Sequence, residues 1–158
     1  MKYGSTLFLR LALFLIGTPV LALSIFGVYW LVNNPANPEY DHILYPIIIG
    51  MYVSVIPFFF ALYEAFKLLS YIDKNQAFSK LSVVALKKIK WCAITISGLY
   101  VLIIPFVYIV AELDDAPGLI IIGMVPIFAS MVIAVFAAVL QRLLEEAIHI
   151  KSENDLTV

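Results

Sequence analysis

The chain has 158 residues, of which 63% are hydrophobic and only 13% are charged, and its mean hydropathy is +1.01. A soluble globular domain is about 45–50% apolar and about 25% charged, so a chain of this size and composition has too few polar residues to cover a water-facing surface. The composition therefore excludes an ordinary soluble domain and predicts residence in a membrane. The formal net charge of −1 gives no sign of a nucleic-acid-binding surface, and we expect no direct contact with nucleic acid.

Residue types that carry common chemistries are scarce. The chain has one cysteine, Cys92, and two histidines, His42 and His149, which lie far apart in the sequence. No CxxC, HExxH, GxGxxG or GxxxxGKS/T pattern occurs, so the usual signals of metal, dinucleotide and phosphate sites are absent. We therefore expect no catalytic residue, metal ligand or cofactor, and we predict that the chain is not an enzyme. Cys92 is interpreted as a small buried residue, with palmitoylation at the membrane boundary as the alternative.

Four uncharged stretches are long enough to cross a bilayer. They comprise residues 11–32, 43–63, 91–111 and 119–140. A helix needs about 20 apolar residues to span a hydrocarbon core about 30 Å thick, whereas a transmembrane strand needs about half as many. The sequence therefore predicts an all-α fold in which residues 1–158 form a single membrane domain, an integral membrane four-helix bundle.

The first span has the basic flank of a secretory signal, because Lys2 and Arg10 precede it. Its apolar run continues to Val32, which is longer than the 7–15 residues, roughly, of a signal-peptide core. We therefore interpret it as a membrane anchor rather than a cleaved signal.

The connections between the spans alternate in charge. Connections 33–42 and 112–118 contain acidic residues but no Lys or Arg, whereas connection 64–90 contains six lysines. Two further basic residues precede the first span and two follow the last, so all ten fall on one side of the membrane. Positive charge near span ends marks the cytoplasmic side. The sequence therefore predicts that both termini and connection 64–90 are cytoplasmic.

Each span contains a proline; these are Pro19, Pro57, Pro105 and Pro126. A proline frees a helical carbonyl one turn earlier, which either kinks the helix to fit a bundle or creates a hinge or polar lining. We favour plain kinks, because transmembrane helices tolerate proline readily. No ionisable residue lies inside a span, which argues against an ion-coupled transporter. Glu64 and Arg10 come closest, and we predict that they form a snorkelling pair at the cytoplasmic boundary, with Lys67 as a further partner.

Connection 64–90 contains two local signals. Residues 73–76 (Asp-Lys-Asn-Gln) have the composition of a turn, and Ser79 has the character of an N-cap for a helix beginning at Lys80. That helix carries a lysine cluster at 87–90, and anionic lipid headgroups attract each basic residue by about 1 kcal/mol. We predict that it lies at the membrane interface.

Residues 141–158 continue the helical pattern beyond the last span. Leu143, Leu144 and Ile148 keep helical spacing with polar residues between them, which predicts an amphipathic cytoplasmic tail. Two interpretations stay open. The tail packs on its own bundle, or it presents a face to a partner protein.

Two segments resemble a known family. They read Ile72-Asp73-Lys74-Asn75-Gln76-Ala77-Phe78-Ser79 before the third span and Glu153-Asn154-Asp155-Leu156-Thr157-Val158 after the fourth. With four spans and this length, the chain resembles the bacterial membrane proteins grouped as domain of unknown function 2975. Phe78 and Ser79 match the family's loop, while Gln76 and Ala77 depart from its Gly-x-Pro form. The resemblance implies a bacterial cytoplasmic membrane, no established activity and, as an expected partner, a small helix-turn-helix transcriptional regulator.

One functional hypothesis and two alternatives follow. The hypothesis is a sensor or regulatory partner, in which the tail and connection 64–90 bind the small regulator and the membrane part senses envelope state or an apolar compound. The expected partner-binding residues are Leu143, Leu144, Ile148, Asp155, Leu156 and Phe78. The alternatives are a small transporter or efflux component and a bacteriocin or toxin self-immunity protein. The other expected partners are the lipid bilayer and further copies of the chain in a homo-oligomer.

Overall fold

The computed structural model describes residues 2–34, 38 and 41–157, and the side chains of residues 6–34, 38 and 41–156. Every regular element in those residues is helical. The helices are α1 (Lys2–Asn33), α2 (Asp41–Asp73), α3 (Lys80–Leu113) and α4 (Gly118–Thr157). All four are long and apolar enough to cross a membrane, which confirms the predicted all-α architecture.

Some residues used in the sequence predictions are outside the part of the chain that the structure describes. One acidic residue of the first connection, Glu39, and the last residue of the family-like ending, Val158, lie outside the described residues, as does the side chain of Lys2.

Helices α2, α3 and α4 continue at least ten residues past the predicted spans, all at the same end of the molecule. Helix α2 runs on to Asp73, α3 begins already at Lys80, and α4 runs on to Thr157. No glycine or proline interrupts these extensions, so no residue of low helix propensity stops them. The helix predicted to begin at Lys80 is therefore the first part of α3, and the connection proper is residues 74–79.

The turn predicted in this connection closes α2. Asn75 has a positive φ of 61°, a left-handed conformation that asparagine tolerates better than most residues. The backbone N–H of Gln76 donates to Tyr71 O (2.7 Å) and that of Asn75 donates to Ile72 O (3.2 Å), which is the Schellman pattern of helix ends. Ser79 occupies the predicted N-cap position of α3, although its hydroxyl bonds the Gln76 carbonyl (2.6 Å) rather than capping the helix.

The helices pack in chain order. Among the described residues α1 contacts α2, α2 contacts α3 and α3 contacts α4, while no contact joins α4 to α1 or α2. Small residues allow the close approach, as expected where helices associate in lipid. On α3 the small buried residues are Ser82, Ala85, Ala93, Ser97 and Ala111. On α4 they are Ser130, Ala134 and Ala137.

The four predicted prolines all lie inside continuous helices. Near one of them, Ser130 Oγ donates to the carbonyl oxygen of Pro126 (2.6 Å), so that serine is satisfied within its own helix. A role for the prolines as kinks or hinges stays a prediction.

Candidate functional site

The segments that carry the basic residues meet at one end of the molecule. Arg10 of α1 contacts Asp73 of α2, and Glu64 of α2 contacts Lys88 of α3. Lys90 of α3 borders a groove on α4. We call this end, formed by residues 6–10, 64–90 and 141–156, the basic end. Its assignment to the cytoplasm stays a prediction.

A buried carboxylate lies at the centre of the basic end. The Glu64 side chain is only 2% exposed, and its Oε1 lies 3.8 Å from Lys67 Nζ and 3.7 Å from Lys88 Nζ. A buried carboxylate is costly unless it is paired, so two ammonium groups explain how Glu64 stays in this position. Lys67 was the partner predicted from helical spacing. Lys88 was not predicted, because it lies on a different helix.

The prediction that Arg10 pairs with Glu64 is wrong. Arg10 Nη2 instead donates to Asp73 Oδ2 (2.8 Å), and Thr6 Oγ1 donates to Asp73 Oδ1 (2.6 Å). The physical reason is that Glu64 already has two cations, whereas Asp73 ends α2 next to the first turns of α1. These two bonds fix the start of α1 to the end of α2.

Two serine hydroxyls bind one backbone carbonyl in the short connection between α2 and α3. Ser82, which has no exposed surface, donates to the carbonyl oxygen of Gln76 (3.2 Å), the same atom that accepts from Ser79. Phe78 remains largely exposed on this connection. An exposed phenylalanine beside lysines fits contact with either lipid or a partner protein.

The tail predicted after the last span is confirmed as a helix by the described residues, since α4 has 40 residues and ends at Thr157. At 1.5 Å per residue, the part after Leu140 extends about 25 Å. Side-chain pairs at i, i+4 support it: Gln141 Nε2 donates to Glu145 Oε1 (3.1 Å), and His149 Nε2 lies 3.1 Å from Glu153 Oε1.

The tail was predicted either to pack on its own bundle or to bind a partner protein. Different residues of the tail fit each interpretation. Leu144 and Ile148 are half-buried, and α3 is the helix that contacts α4 in the described residues. Leu143 and Leu156 are instead 56% and 83% exposed. Asp155 is also exposed. Part of the predicted set therefore packs within the protein, and part remains on the surface.

A groove of about 660 Å³ opens between α3 and the tail. Its lining includes Lys90 from α3 and Arg142, Glu145, Glu146 and His149 from α4. Arg142 pairs within α4, its Nε lying 3.8 Å from Glu146 Oε1. The groove is thus a mixed-charge surface in which acidic residues of the tail face a lysine of α3.

The basic end carries two surfaces of opposite charge. Residues 74–90 contain five lysines and no acidic residue. Residues 141–157 contain four carboxylates against two cations, a formal net charge of −2 with His149 neutral. In the described part of the chain no three His, Cys, Asp or Glu residues form a metal-binding group. A basic segment and an acidic segment thus lie at the same end of the molecule.

Comparison with known proteins fits this description. The family described as "Protein of unknown function (DUF2975)" matches residues 30–158. The chain belongs to the DUF2975 family. A relative from Bacillus subtilis (strain 168), called "Uncharacterized membrane protein YoaS", is 65% identical over 160 residues, and the alignment covers 100% of both chains. No solved structure matches the chain.

The family resemblance predicted from residues 72–79 and 153–158 is therefore confirmed. The relative's name and the four apolar helices agree that the chain is a multi-pass membrane protein.

Proposed function

We propose that the chain is a membrane-bound regulatory partner without enzymatic activity, whose tail binds a small helix-turn-helix regulator in the cytoplasm. The observation that carries this proposal is the helical extension of α4. With 40 residues, α4 is about 60 Å long, about twice the thickness of a hydrocarbon core. A helix needs no such extension to cross a membrane.

The exposed side chains of the tail support a protein partner. Leu143, Ile150 and Leu156 are each more than half exposed, although they lie beyond the apolar span. Apolar side chains on one helix commonly serve as anchors in a groove of another protein. The half-buried Leu144 and Ile148 are excluded from this set of exposed anchors, because they pack within the protein.

The charge of the tail favours one kind of partner. DNA-binding domains present a basic surface, and complementary charge promotes association with an acidic helix. A tail with a net charge of −2 would compete with DNA for that surface. The regulator would then be held at the membrane while DNA is excluded, and changes in the membrane-embedded helices would alter how well the tail is presented.

The test is co-purification of full-length protein from mild detergent after two exposed apolar residues of the tail have been changed. Leu143→Asp with Leu156→Asp should remove at least about nine-tenths of a helix-turn-helix protein that the unchanged chain retains, because charge replaces two apolar anchors. Membrane insertion and abundance should not change. Charge reversal by Glu153→Lys with Asp155→Lys should also weaken retention, most strongly at low salt.

Leu144→Asp serves as the contrasting variant. It alters the half-buried face, and should lower the abundance of the protein itself. Equal retention of the regulator by the Leu143/Leu156 variant, or the absence of any DNA-binding protein from the purified material, would contradict the proposal. The second result would favour transport or self-immunity, which require no such partner.

A further inference from the structure

A second cavity lies far from the basic end, inside the apolar part of the protein. It is a cleft of about 510 Å³ between α1 and α2, with α3 at its back. Its lining includes Ser24, Gly27, Trp30, Tyr52, Val55 and Tyr100. All of these lie in the uncharged stretches of their helices, so we infer that the cleft faces lipid.

One tyrosine joins α1 to α2 beside the cleft. The Tyr52 hydroxyl donates to the backbone carbonyl of Ser24 (2.9 Å). A Cβ on Gly27 would lie 2.6 Å from that hydroxyl oxygen, so the bond requires glycine at this position. The polar contact joins α1 to α2 at this level, and in the described residues no packing of α1 against α3 closes the space behind it.

The size and position of the cleft indicate an apolar occupant. Ligand sites in proteins commonly measure roughly 300–1,000 Å³, so the cleft has room for a molecule of ordinary ligand size. Its walls are mostly hydrocarbon, and water is scarce at this depth of a bilayer. A molecule that fills it therefore has an apolar body and enters sideways from the lipid.

Two tyrosine hydroxyl oxygens in the cleft favour a ligand that can donate a hydrogen bond. Tyr52 uses its proton on Ser24, and among the described residues no donor reaches its oxygen. Ser54 Oγ lies 2.6 Å from Met51 O and 3.3 Å from the Tyr100 hydroxyl oxygen. The Ser54 hydroxyl has a single proton, which it donates in the shorter bond to Met51 O. The Tyr100 oxygen therefore also keeps a lone pair that can accept from another donor. Both oxygens can accept a hydrogen bond in surroundings where such a bond has little competition from water.

We propose that this cleft binds, from the bilayer, one apolar molecule that carries a hydroxyl group, and that the hydroxyl donates to Tyr52 or Tyr100. The inference names a ligand class and a site for the sensing half of the proposed function, and it rests on that function for its biological meaning. Binding itself can be measured without the regulator.

Trp30 provides the readout. The chain has two tryptophans, so Trp91→Phe leaves Trp30 in the cleft as the single emitter. The protein is placed in vesicles and titrated with a brominated long-chain alcohol or with a brominated alkane of the same length, since bromine quenches tryptophan on contact. The alcohol should quench Trp30 saturably and at about 2- to 10-fold lower concentration than the alkane, as one hydrogen bond allows.

Matched variants locate the effect. Val55→Phe fills the cleft and should abolish saturable quenching. Val53→Phe is the control, because Val53 is 43% exposed, is not part of the lining and lies two residues away on the same helix. Tyr52→Phe with Tyr100→Phe should remove the preference for the alcohol while leaving quenching by the alkane. Should Val55→Phe fail to accumulate, Val20→Phe fills the same cleft from α1.

Two results would overturn the inference. One is quenching that rises in simple proportion to probe in the lipid and is equal in the Val55 and Val53 variants, because the probe then reaches Trp30 from bulk lipid only. The other is equal quenching by the alcohol and the alkane. Neither result depends on the tail, so loss of regulator binding with intact quenching would contradict the proposed function alone.

Discussion

Helices α1 and α3 are both apolar enough to cross a membrane, yet they are held in opposite ways. Helix α3 packs against α2 and against α4. Of the residues in its most apolar 18-residue stretch, 17% are buried. In the described residues, α1 packs against α2 and against no other helix, and the corresponding share is 6%. The close contacts of α3 use small side chains, whereas α1 is attached by Arg10 and Thr6 at one end and by Tyr52 near its middle.

The difference between α1 and α3 indicates which interactions hold each helix in the bundle. In lipid, apolar residues gain little by leaving one apolar environment for another, so close packing and polar bonds must hold the helices together. Helix α3 has both, including the buried Glu64 with its two lysines. Helix α1 has a few polar bonds and, in the described residues, packing against one neighbouring helix, so we expect it to be the helix most readily displaced.

The largest expected effect comes from removing the cations around Glu64. Lys67→Met with Lys88→Met leaves a buried carboxylate without a partner, which typically costs about 3–5 kcal/mol. Glu64→Gln should cost less than about 1 kcal/mol, because both lysines are partly exposed and can reach water. The midpoint of thermal unfolding in mild detergent measures both. Equal losses would mean that Glu64 is not held as a buried ion.

A smaller effect is expected where α4 packs against α3. Ala134→Leu forces a larger side chain into a buried position, which typically costs about 1–3 kcal/mol. Ala129→Leu is the matched control on the same helix, because Ala129 is exposed and its side chain would only meet lipid. The same unfolding midpoint should fall for the first variant and stay unchanged for the second. Identical midpoints would show that this joint is loosely packed.

The smallest effect on overall stability is expected at α1. Asp73→Asn should cost about 1 kcal/mol or less, because the Arg10 side chain is 36% exposed. The position of α1 should nevertheless change. Gly17 lies beside Leu62, with 3.0 Å between a Cβ on Gly17 and Leu62 Cδ1, so cysteines at these two positions should cross-link in a Cys92→Ser background.

In the Asp73→Asn variant that cross-link should form more slowly. Asp114→Asn, a change to an exposed carboxylate at the opposite end of α3, should leave its rate unchanged. An unaffected rate in Asp73→Asn would show that Tyr52 and helix packing alone position α1.

The helices could be predicted because hydropathy is a property of contiguous residues. The contacts between helices could not. Lys88 approaches Glu64, and Tyr52 approaches Ser24, only because each pair of helices has a particular rotation about its axes. Spacing in the sequence determines neighbours at i+3 and i+4, which is why Lys67 was predicted and Lys88 was not.

The tail of α4 also shows that helical spacing does not predict contacts between helices. Helical spacing predicted that Leu143, Leu144 and Ile148 would share a helix, but it gave no orientation of that helix relative to α3. The structure covers Leu144 and Ile148 and leaves Leu143 on the surface. The separation between a packed face and a free face depends on the neighbouring helix, and no single stretch of sequence contains that information.

The length of α4 has a mechanical consequence. Because α4 continues without a proline through residues 127–157, this part tilts as one unit, and the residues beyond the apolar span act as a lever. With an arm of about 25 Å, a tilt of about 10° moves the tip by about 4 Å. A displacement of that size exceeds the reach of a hydrogen bond, so a small rearrangement among lipid-embedded helices can make or break contacts at Leu156 without any change in the tail itself.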